Sequence, residues 1–180
     1  MRIIGGAFKS RIFKPGKNFK ARPTTDFARE NLFNILANRY DMENKKILDL
    51  FSGTGSISFE FVSRGCEDVT CVELDRFHYQ FICSVIEKLG IKQFMKALNV
   101  DAFKFMARSP GQYDLIFADP PYELNQISAI PDLILNCNLL SNEGLFILEH
   151  GKTNDFSTHP LFRELRKYGS VHFSFFSRIK

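Results

Sequence analysis

The sequence predicts a parallel, doubly wound α/β sheet. Short apolar runs recur at Ile47–Phe51, Val69–Glu73, Phe94–Val100, Leu115–Ala118 and Leu145–Glu149. Amphipathic stretches lie between them. A glycine turn, Ser52-Gly53-Thr54-Gly55, follows the first run. Continuous apolar strands alternating with helices are the mark of a sheet covered on both faces by crossover helices.

Each element has its own justification. Ile3, Ile4, Phe8, Ile12 and Phe13 are broken by Gly5-Gly6 and Pro15-Gly16, which predicts short strands and turns over 2–22. Arg22-Pro23-Thr24-Thr25-Asp26 reads as a rigid helix entry with Thr25 or Asp26 as N-cap, and Phe27, Leu32, Phe33, Ile35, Leu36 and Tyr40 form the stripe of that helix. Ile57 and Phe61 mark a second helix, stopped by Gly65. Phe77, Phe81, Val85 and Leu89 recur at four-residue intervals before Gly90, a plausible C-cap. Ile127, Ile130, Leu133 and Ile134 mark another helix. The last segment, Val171–Ile179, alternates and suits an edge or antiparallel strand.

Composition bounds the function. At 180 residues and 44% hydrophobic, the chain suits one domain with a real core, which excludes wholesale disorder. No apolar run approaches the roughly 18 residues of a membrane span, and the Met1-Arg2-Ile3-Ile4-Gly5-Gly6 start does not read as a signal peptide. Cys66, Cys71, Cys83 and Cys137 show no C-x-x-C pair, so reduced thiols in a cytoplasm are expected. Net charge is +4, but seven bases and no acid precede Asp26, leaving 17 bases against 20 acids. A basic arm on a mildly acidic body points to a polyanionic partner such as nucleic acid.

The first strand ends Leu48-Asp49-Leu50-Phe51 and the second Val72-Glu73-Leu74-Asp75. Gly53 and Gly55 allow a sharp turn close to a ligand, and Glu73 suits ribose hydroxyls. A dinucleotide fingerprint wants a third glycine where this chain has Ser58, and no Gly-Lys-Ser/Thr follows. Asp49 before the turn, with no base nearby, favours a positively charged ligand. S-adenosylmethionine, with a sulfonium, an ammonium, a ribose and no phosphate, fits.

The fourth strand runs into Asp119-Pro120-Pro121-Tyr122. Consecutive prolines stiffen the segment, and the Asp119 carboxylate and Pro120 carbonyl offer two acceptors for the two hydrogens of an exocyclic amine. Tyr122 would stack on a base removed from its helix. Asp101 suits an adenine amino group, with Ala102 and Phe103 walling the ring, and equally suits a helix N-cap. His150 reads as a general base or, more simply, as a structural hydrogen-bonder. The four His and four Cys lack metal-ligand spacing, so no metal is expected.

The chain resembles the RsmD family of bacterial small-subunit ribosomal RNA methyltransferases. The resemblance runs nearly end to end, through Arg2-Ile3-Ile4-Gly5-Gly6, Arg22-Pro23-Thr24-Thr25-Asp26, Arg29-Glu30, Leu32-Phe33-Asn34, Leu48–Gly55, Ser63-Arg64-Gly65, Asp119-Pro120-Pro121-Tyr122, Gly144 and Glu149-His150. It implies a seven-stranded, Rossmann-like class I methyltransferase sheet over 23–180, mostly parallel with an antiparallel C-terminal strand, preceded by a basic hairpin extension over 1–22. It also implies S-adenosylmethionine as donor and the N2 amine of a 16S RNA guanine as acceptor, in naked RNA, the small subunit or an assembly intermediate.

Under this reading Asp119, Pro120, Pro121 and Tyr122 are the catalytic set. Asp49, Phe51, Ser52, Gly53, Gly55, Glu73, Leu74, Asp101 and Ala102 bind the cofactor, and Lys9, Arg11, Lys14, Arg22 and Thr24 meet RNA. Ser56-Ile57-Ser58 departs from the glycine and alanine common in the family. A DNA adenine-N6 methyltransferase and a non-catalytic RNA-binding assembly factor are the rival readings. A monomer is the default.

Overall fold

A computed structural model describes residues 1–16, 24–108 and 111–178. Helix α1 (Asp26–Arg39) begins at Thr25, whose hydroxyl accepts from the Ala28 N–H at 3.2 Å. Then follow β1 (Lys46–Leu50), α2 (Ser56–Ser63), β2 (Asp68–Glu73), α3 (Arg76–Leu89), β3 (Met95–Asn99), α4 (Ala102–Arg108) and β4 (Tyr113–Ala118). A 3₁₀ turn, Ile127–Ala129, leads into α5 (Ile130–Asn136), and β5 (Leu140–His150), β6 (Phe162–Tyr168) and β7 (Val171–Ser177) complete the chain.

The strands form one seven-stranded sheet in the order β3-β2-β1-β4-β5-β7-β6. Pairing is parallel from β3 to β5, and β7 runs antiparallel to both β5 and β6. The alternating C-terminal segment is therefore an antiparallel strand inserted inside the sheet. Its six residues Val171–Phe176 are buried, and the edge falls instead to β6. The β6 sequence Phe-Arg-Glu-Leu-Arg-Lys-Tyr carries the charges that guard an exposed edge, which hides it from an apolar-run reading.

The strand order reverses between β1 and β4, the switch point where open α/β sheets bind ligands. Register places the critical residues. Leu50 pairs with Ala118, and Ala118 with Leu148, so Asp119 and Glu149 leave adjacent strands side by side at their carboxyl ends.

Helix α3 turns inward the stripe its four-residue spacing suggests at Phe81, Val85 and Leu89, but not at Phe77. Ile82, Val85 and Ile86 are buried, whereas Phe77 is 68% exposed, because a four-residue step overshoots the 3.6-residue turn and the stripe drifts. Gly90 ends α3 in the left-handed conformation, as expected.

The N-terminal arm is tied to the body. Arg2 and Ile12 form an antiparallel bridge, and the Ala7 and Phe8 N–H groups donate to the Ser63 carbonyl and hydroxyl at the last residue of α2. Gly6, at φ +73°, touches the same place. A Cβ there would stand 1.8 Å from the Ser63 carbonyl oxygen. Gly6→Ala is expected to cost more than the roughly 1–3 kcal/mol of a left-handed non-glycine residue, because backbone must also move. A urea melt with a lowered midpoint checks this.

Candidate active site

The glycine turn after β1 is held by side chains on both sides. Ser52 Oγ donates to the Asp49 carbonyl at 2.8 Å and accepts from the Val72 N–H at 3.1 Å, tying the turn to β2. The Glu73 carboxylate accepts from the Gly53 N–H and the Asp75 N–H, each at 2.7 Å. It thus shapes the turn while facing the cavity, and each oxygen keeps a further acceptor site. Phe51 sits at φ +61°, a rare conformation for a bulky residue, with its ring edge-to-face against Phe103 at 5.9 Å. Ser58, where a dinucleotide fold has its third glycine, donates to Asp49 Oδ2 at 2.6 Å.

A cavity of about 850 Å³ opens over this turn. Eight of the nine residues expected at a cofactor line it, namely Asp49, Phe51, Ser52, Gly53, Glu73, Leu74, Asp101 and Ala102. Gly55 does not. It caps α2 from beneath, where an added Cβ would meet the Phe59 ring at 2.9 Å, so its smallness serves packing. Asp101 accepts from the Lys104 N–H at 2.9 Å, capping α4, and lines the cavity as well.

Asp119, Pro120, Pro121 and Tyr122 form the opposite wall. Tyr122 is 37% exposed, and its hydroxyl donates to Glu149 Oε1 at 3.0 Å. Thr24, expected at the RNA, is buried, and its hydroxyl donates to Glu149 Oε2 at 2.8 Å with Asp119 Oδ2 3.5 Å away. Glu149 is thus a site residue that motif reading passed over in favour of its neighbour. His150 points away from the cavity and is fully buried between the Gly151 carbonyl and the Ser174 hydroxyl, each at 2.8 Å.

Three deep carboxyls therefore lie close together. Burial pushes Asp49 up to about 7, opposed by the Ser58 hydrogen bonds. Burial likewise pushes Glu149 up to about 7, opposed by Thr24 and Tyr122. Asp119 is exposed only through the cavity it lines. Burial raises it well above the carboxylate range, and the Glu149 and Asp49 charges raise it further. Among the described lining residues none is Lys or Arg. Such a cavity favours a cationic ligand and disfavours a pyrophosphate.

Lys9, Arg11 and Lys14 lie on the arm. Contacts at Ser63 hold its Gly6–Phe8 turn at the end of α2 remote from the cavity, and Arg11 lies over the Phe8 ring at 5.5 Å. Arg22 is outside the described residues. Among the described residues, no helix is long and apolar enough to cross a membrane.

The family model described as "Conserved hypothetical protein 95" matches residues 1–177. The chain belongs to that family. The RsmD resemblance seen in the sequence is borne out by the relatives of this family member. It is 30% identical over 160 residues to the ribosomal RNA small subunit methyltransferase D of Escherichia coli K12, covering 89% of this chain and 79% of the relative. It is 28% identical over 183 residues to the protein of that name from Buchnera aphidicola subsp. Baizongia pistaciae, covering 99% and 92%. A hypothetical protein of Thermus thermophilus, of known structure, matches with a TM-score of 0.85 and 26% identity, over 98% of this chain and 99% of that one. The Rossmann-like fold expected of the family is present from α1 to β7.

Proposed function

We propose that this chain transfers a methyl group from S-adenosylmethionine to the exocyclic N2 amine of a guanine in small-subunit ribosomal RNA. One observation carries the reading most. A rigid Asp-Pro-Pro-Tyr wall faces the glycine turn across an acidic cavity that no described lysine or arginine lines. Relatives named as small-subunit ribosomal RNA methyltransferases support the substrate class.

The residues present suit the donor. Glu73 has acceptor capacity left for ribose hydroxyls, Phe103 and Ala102 flank a slot for the adenine, and Asp49 gives the floor negative charge. The bound donor supplies an activated methyl on a positively charged sulfur.

Guanine N2 is a poor nucleophile because its lone pair is delocalised into the ring. Acceptors at Asp119 and the Pro120 carbonyl would hold both N–H bonds out of that conjugation and aim the lone pair. As nitrogen becomes positive, the Asp119 carboxylate stabilises it with little reorganisation, which is the larger electrostatic contribution. Tyr122 offers the extruded base a stacking face, worth roughly 1–3 kcal/mol.

The basic extension, residues 1–22, would meet RNA phosphates through Lys9, Arg11, Lys14 and Arg22. Because the Gly6–Phe8 turn is held at the far end of α2, the Lys9, Arg11 and Lys14 contacts would lie away from the reacting base. They position the RNA without reading the guanine.

Calorimetry with S-adenosylmethionine, followed by methyl transfer to 16S RNA and to small subunits, tests the reading. Tyr122→Ala should lower kcat/KM roughly 5- to 150-fold, the equivalent of one lost stacking contact, with donor binding retained. Absence of donor binding by the wild-type chain would leave only a non-catalytic RNA-binding role.

A further inference from the structure

We propose that Asp119, Thr24 and Glu149 form one proton-sharing unit, in which Glu149 takes up the proton that Asp119 receives from the methylated amine. The proposal rests on the amine chemistry above, but the unit itself does not depend on the substrate.

The geometry has a direction. A hydroxyl has one hydrogen, and Thr24 gives it to Glu149 Oε2 at 2.8 Å, leaving its lone pairs toward Asp119 Oδ2 at 3.5 Å. An ionised Asp119 gains little from Thr24 at that distance. A protonated Asp119 could donate to the Thr24 oxygen, and the chain would then run Asp119 to Thr24 to Glu149 without reorientation. Tyr122 closes the far end by donating to Glu149 Oε1 at 3.0 Å. Glu149 is 2% exposed, and no cation among the described lining residues neutralises the two carboxyls. Like charges so placed are costly to hold together without a cation beside them, so the pair shares one proton in the free protein, is fully ionised only while a positively charged sulfur is bound, and takes up one proton again once transfer has left the sulfur neutral. The remaining titratable groups facing the cavity are Asp49, Glu73, Asp75, His78, Asp101 and Glu123, all acids but one.

The step balances. The N2 lone pair forms the new N–C bond, and the C–S pair stays with sulfur, which leaves as a neutral thioether. Nitrogen, now cationic, loses a proton to Asp119. That proton passes to the Thr24 oxygen as the Thr24 hydrogen passes to Glu149, so Asp119 is again anionic and Glu149 neutral. Asp119 touches the amine. Glu149 acts through it and is a positioning residue.

The test uses the full chain and begins without ligands. Carbon-detected NMR titration of the side-chain carboxyls should show the Asp119 transition moving to lower pH in Glu149→Gln, which keeps the side chain's size and one acceptor oxygen. With 16S RNA and donor, that variant should lose about 10²-fold in kcat, the lower end of what proton transfer contributes, with KM for RNA unchanged and the acid limb of its pH profile moved down. Thr24→Val should lose kcat similarly, and Thr24→Ser should restore it. An Asp119 transition that ignores Glu149→Gln overturns the unit whatever the substrate. A loss in KM alone reduces Glu149 to a structural role and overturns it too. A linked titration in a wild-type chain that methylates no ribosomal RNA upholds the shared proton and overturns its assignment to a guanine amine.

Discussion

Asp119→Asn lowers kcat about 10²–10³-fold, the usual cost of removing one preorganised partner of a developing charge, and leaves the protein at least as stable at neutral pH. The side chain keeps its size and one carbonyl oxygen. It loses the negative charge that stabilises the methylated nitrogen, and its NH₂ group turns a donor toward another donor.

Stability moves the other way because the carboxyl is held where its charged form is costly. Its folded pKa is raised above the unfolded value of about 4, so the folded protein holds a proton that the unfolded chain has released. That contribution is complete below about pH 4 and disappears as pH rises through the folded value. Asn removes the slope. Thermal melts across about pH 5–8 should show wild-type Tm falling with pH and the variant falling less, since Asp49 and Glu149, both raised to about 7, still contribute. Lost activity with retained or improved stability is the signature of a site that opposes folding.

Arg29→Leu has the opposite character and should cost about 3–5 kcal/mol of folding stability. Arg29 is 2% exposed. Its Nη2 donates to Asp26 Oδ1 and to the Arg2 carbonyl, each at 2.7 Å, and its Nε lies 3.6 Å from the fully buried Glu60. Glu60 in turn accepts from the Ile4 and Gly5 N–H groups and pairs with Arg64, so it fastens the arm to α2. Leucine would fill much of the volume but leave the buried carboxylate without its inner cation. Adding Glu60→Gln should recover part of the loss, and a double-mutant cycle by urea denaturation measures the recovery. The pair sits away from the cavity, so donor affinity of the folded fraction should be unchanged.

These two sites mark what a single sequence discloses. Asp119-Pro120-Pro121-Tyr122 and the turn at Gly53 are local, and local stereochemistry announces them. The α/β alternation is legible for the same reason, because buried parallel strands need no polar alternation.

Glu149 is different. Its partners are Thr24, 125 positions away, and Tyr122, 27 positions away; the order β4-β5 brings Tyr122 near, and the seating of the segment before α1 brings Thr24. Arg29 likewise reads as a surface charge on a helix until Glu60 is known to lie beneath it. A charged edge strand such as β6, a left-handed Phe51 and the inward role of Thr24 are tertiary facts with no local signature. The acid at the end of β5 was nevertheless a usable signal, since it leaves the sheet beside the Asp119 strand.

The central claim is that the Asp119 wall presents a guanine amine to a methyl donor. The most direct test incubates the protein with methyl-labelled S-adenosylmethionine and small subunits from cells lacking it, then separates the digested nucleosides by mass spectrometry. All label in N2-methylguanosine from the small-subunit RNA is the predicted result. Label in N6-methyladenine, or preferential labelling of duplex DNA in the same assay, would contradict it.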